Sequence, residues 1–308
     1  MTRKIQKKSP MEKFTLKKFQ EIFPDDASCL DYLRKEWFPE VIKCDNCGRD
    51  AKFYRITTKK VFGCEFCGFQ ISPAAGTIFD HSSTPLTIWF YVIYLMAQTR
   101  GGISAKQIQR ETGVTYKTAW RMCKQVREML SEDFPKFKGT VELDESYFGG
   151  EEKNKHESKR VAHNQGRSTK TKTAVFGTVE RGGKLEVHAV PNVQSKTILP
   201  IVDANITKGA QIYTDEFHTY DALPAMGYKH GIVPHAEKIY VIGDAHTNTI
   251  EGFWSQSKNG IRGVYHAVSA KYLQHYLNEY AFRYNHRDDV TPMFLTFLSR
   301  VRPSVSKV

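Results

Sequence analysis

Three acids and one lysine carry the chemistry that this sequence offers. Asp144 closes the apolar run VELD, Asp215 closes QIYTD, and Glu251 lies within HTNTIEGFWSQSKNGIRG, His246 to Gly263. Glu251 follows Asp215 by 36 positions and precedes Lys258 by seven. Two acids on strand ends and a third on a later helix form a layout for divalent metal ions. Two Mg²⁺ ions about 3.5–4 Å apart can activate a water or hydroxyl, stabilise a leaving oxygen and neutralise phosphate charge. Mg²⁺ takes hard oxygen ligands and keeps some of its waters, so a few carboxylates suffice. Such a layout would serve phosphodiester cleavage. Neighbours on a strand face opposite ways, so only one of Asp144 and Glu145 can face the site; the spacing favours Asp144, and similarly Asp215 over Glu216.

Glu251 has a competing use. With Thr247 or Asn248 starting the helix, its carboxylate could reach back to a backbone amide as a cap. Against this, Glu251, Trp254, Ser255 and Lys258 share one helix face, which would set Lys258 against a DNA phosphate. Asp203, Asp221 and Asp244 are weaker candidates.

These residues need elements to position them and modules to bring substrate. Cys44-x-x-Cys47-Gly and Cys64-x-x-Cys67-Gly are separated by sixteen residues. This is zinc-ribbon spacing, in which two tight knuckles close a tetrahedral Zn²⁺ site. Such a ribbon has too little core to fold without its metal. Lys43, Arg49, Lys52, Arg55, Lys59 and Lys60 point to DNA contact. Short helices are expected between Thr15 and Phe38, the second capped by Asp26 or Ser28, with Cys29 in the core. Pro85 is placed to open a strongly apolar helix, Leu86–Thr99, after Thr84 as cap. Ala105–Thr112, Gly113 and Tyr116–Leu130 then read as a helix-turn-helix, with Ile108, Val114, Ala119 and Met122 as its seam and Cys123 buried. Its second helix would present Tyr116, Lys117, Arg121, Lys124 and Arg127 to the major groove.

The formal net charge is +12, with 40% hydrophobic and 25% charged residues. Such a balance suits a soluble protein with a polyanionic partner. The opening MTRKIQKKSPMEKF has no signal-type apolar core, and no apolar run reaches about 18 residues, so no membrane span is expected. The paired cysteines fit an intracellular chain with reduced thiols.

After Gly139 the pattern changes. VELDESYF, TAVFGTV and KLEVHAV read as strands, the last two joined by Glu180-Arg181-Gly182-Gly183. A helix over Ser195–Ile206, a strand over Gln211–Thr214, a helix begun by FHTYDAL and strands in YKHGIVPH and EKIYVIG complete an α/β layer fold. Residues 151–172 hold seven Lys/Arg against three Glu and read as a basic loop that orders on a nucleic-acid backbone. Ser269–Arg287 is amphipathic and packs its tyrosines and leucines into the core.

The paired knuckles, VELDESYFGG, YTDEFHTYDAL, HTNTIEGFWSQSKNGIRGVYH and LNEYAFRYNHR together resemble the DDE transposases of bacterial insertion sequences, in the group with a zinc ribbon and an ISXO-type catalytic domain. The resemblance spans nearly the whole chain. It implies an α/β multidomain protein: a basic tail and helical lead-in over 1–40, a zinc ribbon over 41–75, a DNA-binding helix-turn-helix over 84–132, a ribonuclease H-like catalytic domain over 138–290, and a C-terminal tail over 291–308. It further implies catalytic Mg²⁺ or Mn²⁺ on Asp144, Asp215 and Glu251, structural Zn²⁺ on the four cysteines, and Lys258 and Arg262 on DNA. Some relatives carry Asn as the third ligand, so Asn248 is the alternative to Glu251. The implied partners are double-stranded transposon ends and target DNA, bound by a homodimer or larger assembly in the bacterial cytoplasm at the nucleoid. The implied activity is cleavage at terminal inverted repeats and transfer of a 3′-hydroxyl into target DNA. A non-catalytic DNA-binding regulator, or a nuclease that cuts without joining, are the other readings.

Overall fold

The computed structural model describes residues 13–150, 156–160, 171–233 and 246–301. The basic tail before Lys13, most of the 151–172 loop, the EKIYVIG strand and Asp244 lie outside the described residues. The chain divides into two compact units. One holds the stretch up to Arg100, Ala105–Met129 and the stretch from Asp288; the other holds Gly101–Ser104 and Leu130–Arg287.

In the first unit, α1 (Leu16–Ile22) and α2 (Asp26–Trp37) precede a four-stranded antiparallel sheet, β1 (Val41–Lys43), β2 (Asp50–Ile56), β3 (Val61–Cys64) and β4 (Gln70–Ile71), paired in chain order. The α2 cap is Asp25, whose Oδ1 accepts from Ser28 N at 2.8 Å, and not Asp26 or Ser28 as expected. Asp26 is used elsewhere. Its Oδ1 accepts from the amide and the hydroxyl of Thr87, at 2.9 and 3.0 Å, at the start of α3 (Leu86–Gln98). Pro85 is therefore the cap position of α3, and a carboxylate from α2 satisfies the amide that Thr84 was expected to serve. α4 (Ala105–Thr112) follows at the expected bounds, and α5 (Tyr116–Met129) starts as expected and ends one residue early. Gly113 turns the chain at φ +71°, a left-handed conformation that favours glycine. Thr115 Oγ1 accepts from Thr118 N. Ile108, Ala119, Met122 and Cys123 are fully buried; Val114 is only half-buried. Within the stretch expected as a C-terminal tail, Met293–Leu298 forms α9 and its Phe294 ring packs on Phe14 and Phe19.

The second unit is built on a five-stranded sheet of order β7-β6-β5-β8-β9. β5 (Thr140–Phe148), β6 (Thr173–Glu180) and β7 (Leu185–Val190) are antiparallel neighbours. β8 (Gln211–Thr214) and β9 (Lys229–Ile232) run parallel to β5. One face packs α6 (Ser195–Asn205) through Val141, Leu143, Phe176, Ile198 and Val202. The other packs α7 (Asn248–Gly260) and α8 (Ala270–Asn285) through Phe148, Val175, Ile250, Trp254 and Leu277. FHTYDAL does not start an α-helix; only a short 3-10 turn, His218–Tyr220, forms. The outer edge of β7 is closed by two amide side chains of α8. Gln274 bonds Ala189 N and Val187 O, and Asn285 bonds Leu185 N and O, so this edge offers no ladder to another strand. Among the described residues no helix is long and apolar enough to cross a membrane.

Candidate active site and metal centre

The four ribbon thiols converge. All four sulfurs lie within 4.8 Å of one another, with Cys44–Cys67 at 3.6 Å and Cys47–Cys64 at 3.9 Å. Four sulfurs at Zn–S bonds of about 2.3 Å would stand about 3.8 Å apart at tetrahedral corners. Each knuckle turns through its glycine: Gly48 N donates to Cys44 O and Gly68 N to Cys64 O, with φ of +68° and +71°. The residues thus fit Zn²⁺. Three of the ribbon's basic side chains already face acids, Lys52 with Glu40, Arg55 with Asp31 and Lys60 with Asp26.

In the second unit, the parallel β5–β8 ladder pairs Glu142 with Tyr213. Two residues further along each chain come Asp144 and, just past the end of β8, Asp215, whose charge acts on Asp144. Asp144 itself lies inside β5 rather than at its end. Glu145 points to the opposite face, where its Oε2 accepts from the Tyr220 hydroxyl at 2.8 Å. Burial pushes the Asp144 carboxyl up to about 8, and the charges of Glu145 and Asp215 add to the shift. Negative charge is thus crowded into a desolvated place, a condition that a divalent cation would relieve. Asp215 Oδ1 accepts from Phe217 N at 3.1 Å, which fixes the turn after β8.

α7 lies over this face of β5. The Trp254 indole donates to Asp144 Oδ2 at 2.9 Å. Lys258, one turn on, is half-buried with its amine 5.7 Å from the Phe148 ring centroid. Burial lowers the Lys258 pKa, as does Arg262 beyond it, while Asp144 pulls it the other way. The expected face of α7 therefore holds for Trp254 and Lys258; Ser255 is exposed. Glu251 Oε1 accepts from the Thr247 hydroxyl at 2.8 Å, and Asn248 is exposed at the first helical position. Asp144, Asp215 and Glu251 are not drawn together as the thiols are: among the described residues only the cysteines form such a close set. Asp203 pairs with Lys208 and Asp221 with His218, both at the surface.

Sequence reasoning missed Glu142. It is fully buried, and its carboxylate accepts from Thr249 N at 2.9 Å, Thr249 Oγ1 at 2.9 Å, Ile250 N at 3.1 Å and Arg181 Nε at 2.7 Å. Thr247 gives α7 no side-chain cap, so β5 supplies it instead. The signal was available: Glu142 and Asp144 are two apart on one strand and must share a face. After α7 the helix widens into a π turn, Ile261–Tyr265, which carries Arg262. On α5, Tyr116, Lys117 and Arg121 are exposed, whereas Lys124 Nζ lies 2.5 Å from Glu128 Oε1.

A sheet with paired acids, a helix laid over it and a four-thiol ribbon define a transposase-type chain once set beside known proteins. Residues 136–285 match the ISXO2-like transposase domain, and residues 24–70 match the transposase zinc-ribbon domain. The chain belongs to this family of zinc-ribbon insertion-sequence transposases. It is 29% identical over 255 residues to an uncharacterized protein in transposable element ISH50 of Halobacterium salinarum, covering 79% of this chain and 85% of that protein. It is also 29% identical over 105 residues to an uncharacterized transposase-like protein of Haemophilus influenzae, covering 34% of this chain and 84% of that one.

Proposed function

We propose that the chain binds the terminal inverted repeats of its element, cuts DNA there with Mg²⁺ or Mn²⁺, and joins the freed 3′-hydroxyl to target DNA. The observation that carries this reading is Asp144 on β5, bonded to Trp254 of α7, the helix that bears Glu251 and Lys258, with the Asp215 charge near enough to act on its carboxyl. The sheet order, with three antiparallel strands followed by two parallel ones, supports a ribonuclease H-like core over 138–290.

Bound ions would supply charge neutralisation and an activated oxygen nucleophile. Asp144, Asp215 and Glu251 would hold them, with Asn248 as the alternative third ligand. Lys258 would grip a phosphate next to the ions and Arg262 one further along the strand. Residues 41–75 are the ribbon and hold Zn²⁺; residues 84–132 are the helix-turn-helix, with Tyr116, Lys117, Arg121 and Lys124 on DNA. Residues 1–40 lead into the ribbon, and the segment from 291 returns as α9. Bringing two DNA ends together calls for a homodimer or larger assembly. A DNA-binding regulator without catalysis would have no use for the crowded carboxylates at Asp144.

The test is incubation of the purified chain with labelled element ends and a plasmid target. Metal-dependent covalent joining of end to target supports the transposase; nicks without joined product would identify a nuclease, and binding alone a regulator.

A further inference from the structure

Trp254 is 5% exposed and lies between the rings of Phe148 and Phe253, with centroid separations of 6.1 and 5.3 Å. Its seat is shaped by Gly177, which stands opposite Asp144 in the β5–β6 register. A Cβ at Gly177 would come within 2.7 Å of Trp254 Cζ2 and 2.8 Å of Ile250 Cδ1. Only a residue without a side chain leaves room for the indole there, and this placement is what lets Nε1 reach Asp144 Oδ2 at 2.9 Å. An indole N–H can only donate, so this bond is always made to the carboxylate as acceptor. The carboxylate torsion of an aspartate is otherwise broad and two-fold.

We propose that Trp254 is a positioning residue for the catalytic metal. It fixes the carboxyl plane of Asp144 by donating to one oxygen, so that the ion meets a ligand already oriented. Gly177 is part of the same device, because it sets where the indole lies. Hydrogen bonds from outer partners to metal ligands are typically worth about 10–100-fold in metal affinity. The inference rests on the metal-dependent reading of Asp144.

Mn²⁺ binding to the full-length, zinc-loaded chain, followed by electron paramagnetic resonance, tests it. Trp254→Phe keeps an aromatic ring and removes the donor. It is expected to weaken Mn²⁺ binding by about 10-fold or more while the circular dichroism spectrum and zinc content are unchanged. Gly177→Ala is expected to weaken it to a similar degree, and the double variant no further, because both changes break one bond. If Trp254→Phe binds Mn²⁺ as tightly as the wild type while Asp144→Ala loses the ion, the positioning role is wrong. If Asp144→Ala binds as the wild type does, the metal reading of Asp144 fails and takes this inference with it.

Discussion

Glu142 and Asp144 stand two residues apart on one face of β5, and both carboxylates are bonded to α7. Glu142 takes the amides of Thr249 and Ile250 at the start of the helix, and Asp144 takes the Trp254 indole one turn later. The strand that presents Asp144 thus also fixes the helix that carries Glu251. Glu142→Ala would take from the Thr249 and Ile250 amides, and from Arg181 Nε, the buried carboxylate that accepts from them. Breaking such a buried pair costs about 3–5 kcal/mol, which lowers the melting temperature by about 10 °C in a domain of this size. Glu142→Gln keeps an acceptor oxygen and should lose less. A Glu142→Ala protein that melts within about 2 °C of the wild type would refute the capping role.

The ribbon should unfold without its metal. One Zn²⁺ per chain is expected, and a strong chelator should expose four thiols to a thiol reagent, those of Cys44, Cys47, Cys64 and Cys67. Cys29 and Cys123 are fully buried, and burial pushes the Cys29 thiol up to about 12, so it carries almost no thiolate at pH 8. These two should react only in denaturant. Six reactive thiols after chelation alone would show that the metal holds more than the ribbon.

On α5 the exposed cations should matter more than the paired one. Lys117→Ala and Arg121→Ala should each weaken binding to the element's ends and reduce the slope of log affinity against log salt by about one. Lys124→Ala should change that slope less, because Glu128 already neutralises this amine. Fluorescence anisotropy at four or five salt concentrations measures all three. Unchanged slopes for Lys117→Ala and Arg121→Ala would remove this helix from the DNA interface.

The third ligand can be assigned by comparing two substitutions in single-turnover cleavage. Loss of a direct metal ligand costs several kcal/mol of transition-state stabilisation, about 10³-fold in rate. Glu251→Gln is expected to lose that much and Asn248→Ala less than about 10-fold. The reverse order would assign Asn248 to the metal and leave Glu251 as the partner of the Thr247 hydroxyl, the bond it already makes.

The legible parts of this sequence were those written in local spacing. The doubled CxxC named its own metal site, and Gly113 with Thr115 set the bounds of α4 and α5. The alternation along VELDESYF separated Asp144 from Glu145 correctly, since facing is a strand property. Caps were misread, because the acceptor can come from another element: Asp26 serves α3 across 61 positions and Glu142 serves α7 across 107. FHTYDAL has helical composition but forms the turn after β8, where Asp215 accepts from Phe217 N, and Thr219 donates to Val193 O ahead of α6. The C-terminal helix α9 is too short to announce itself by period, and it exists because Phe294 completes an aromatic cluster formed by N-terminal residues.

The claim on which the rest depends is that Asp144 and Asp215 carry metal-dependent strand transfer. Purified wild type, Asp144→Asn and Asp215→Asn should be compared on the ends that flank the chain's own reading frame, with Mg²⁺ and a plasmid target. Both variants should bind those ends as the wild type does and yield no joined product. Joining by either variant at the wild-type rate would contradict the account.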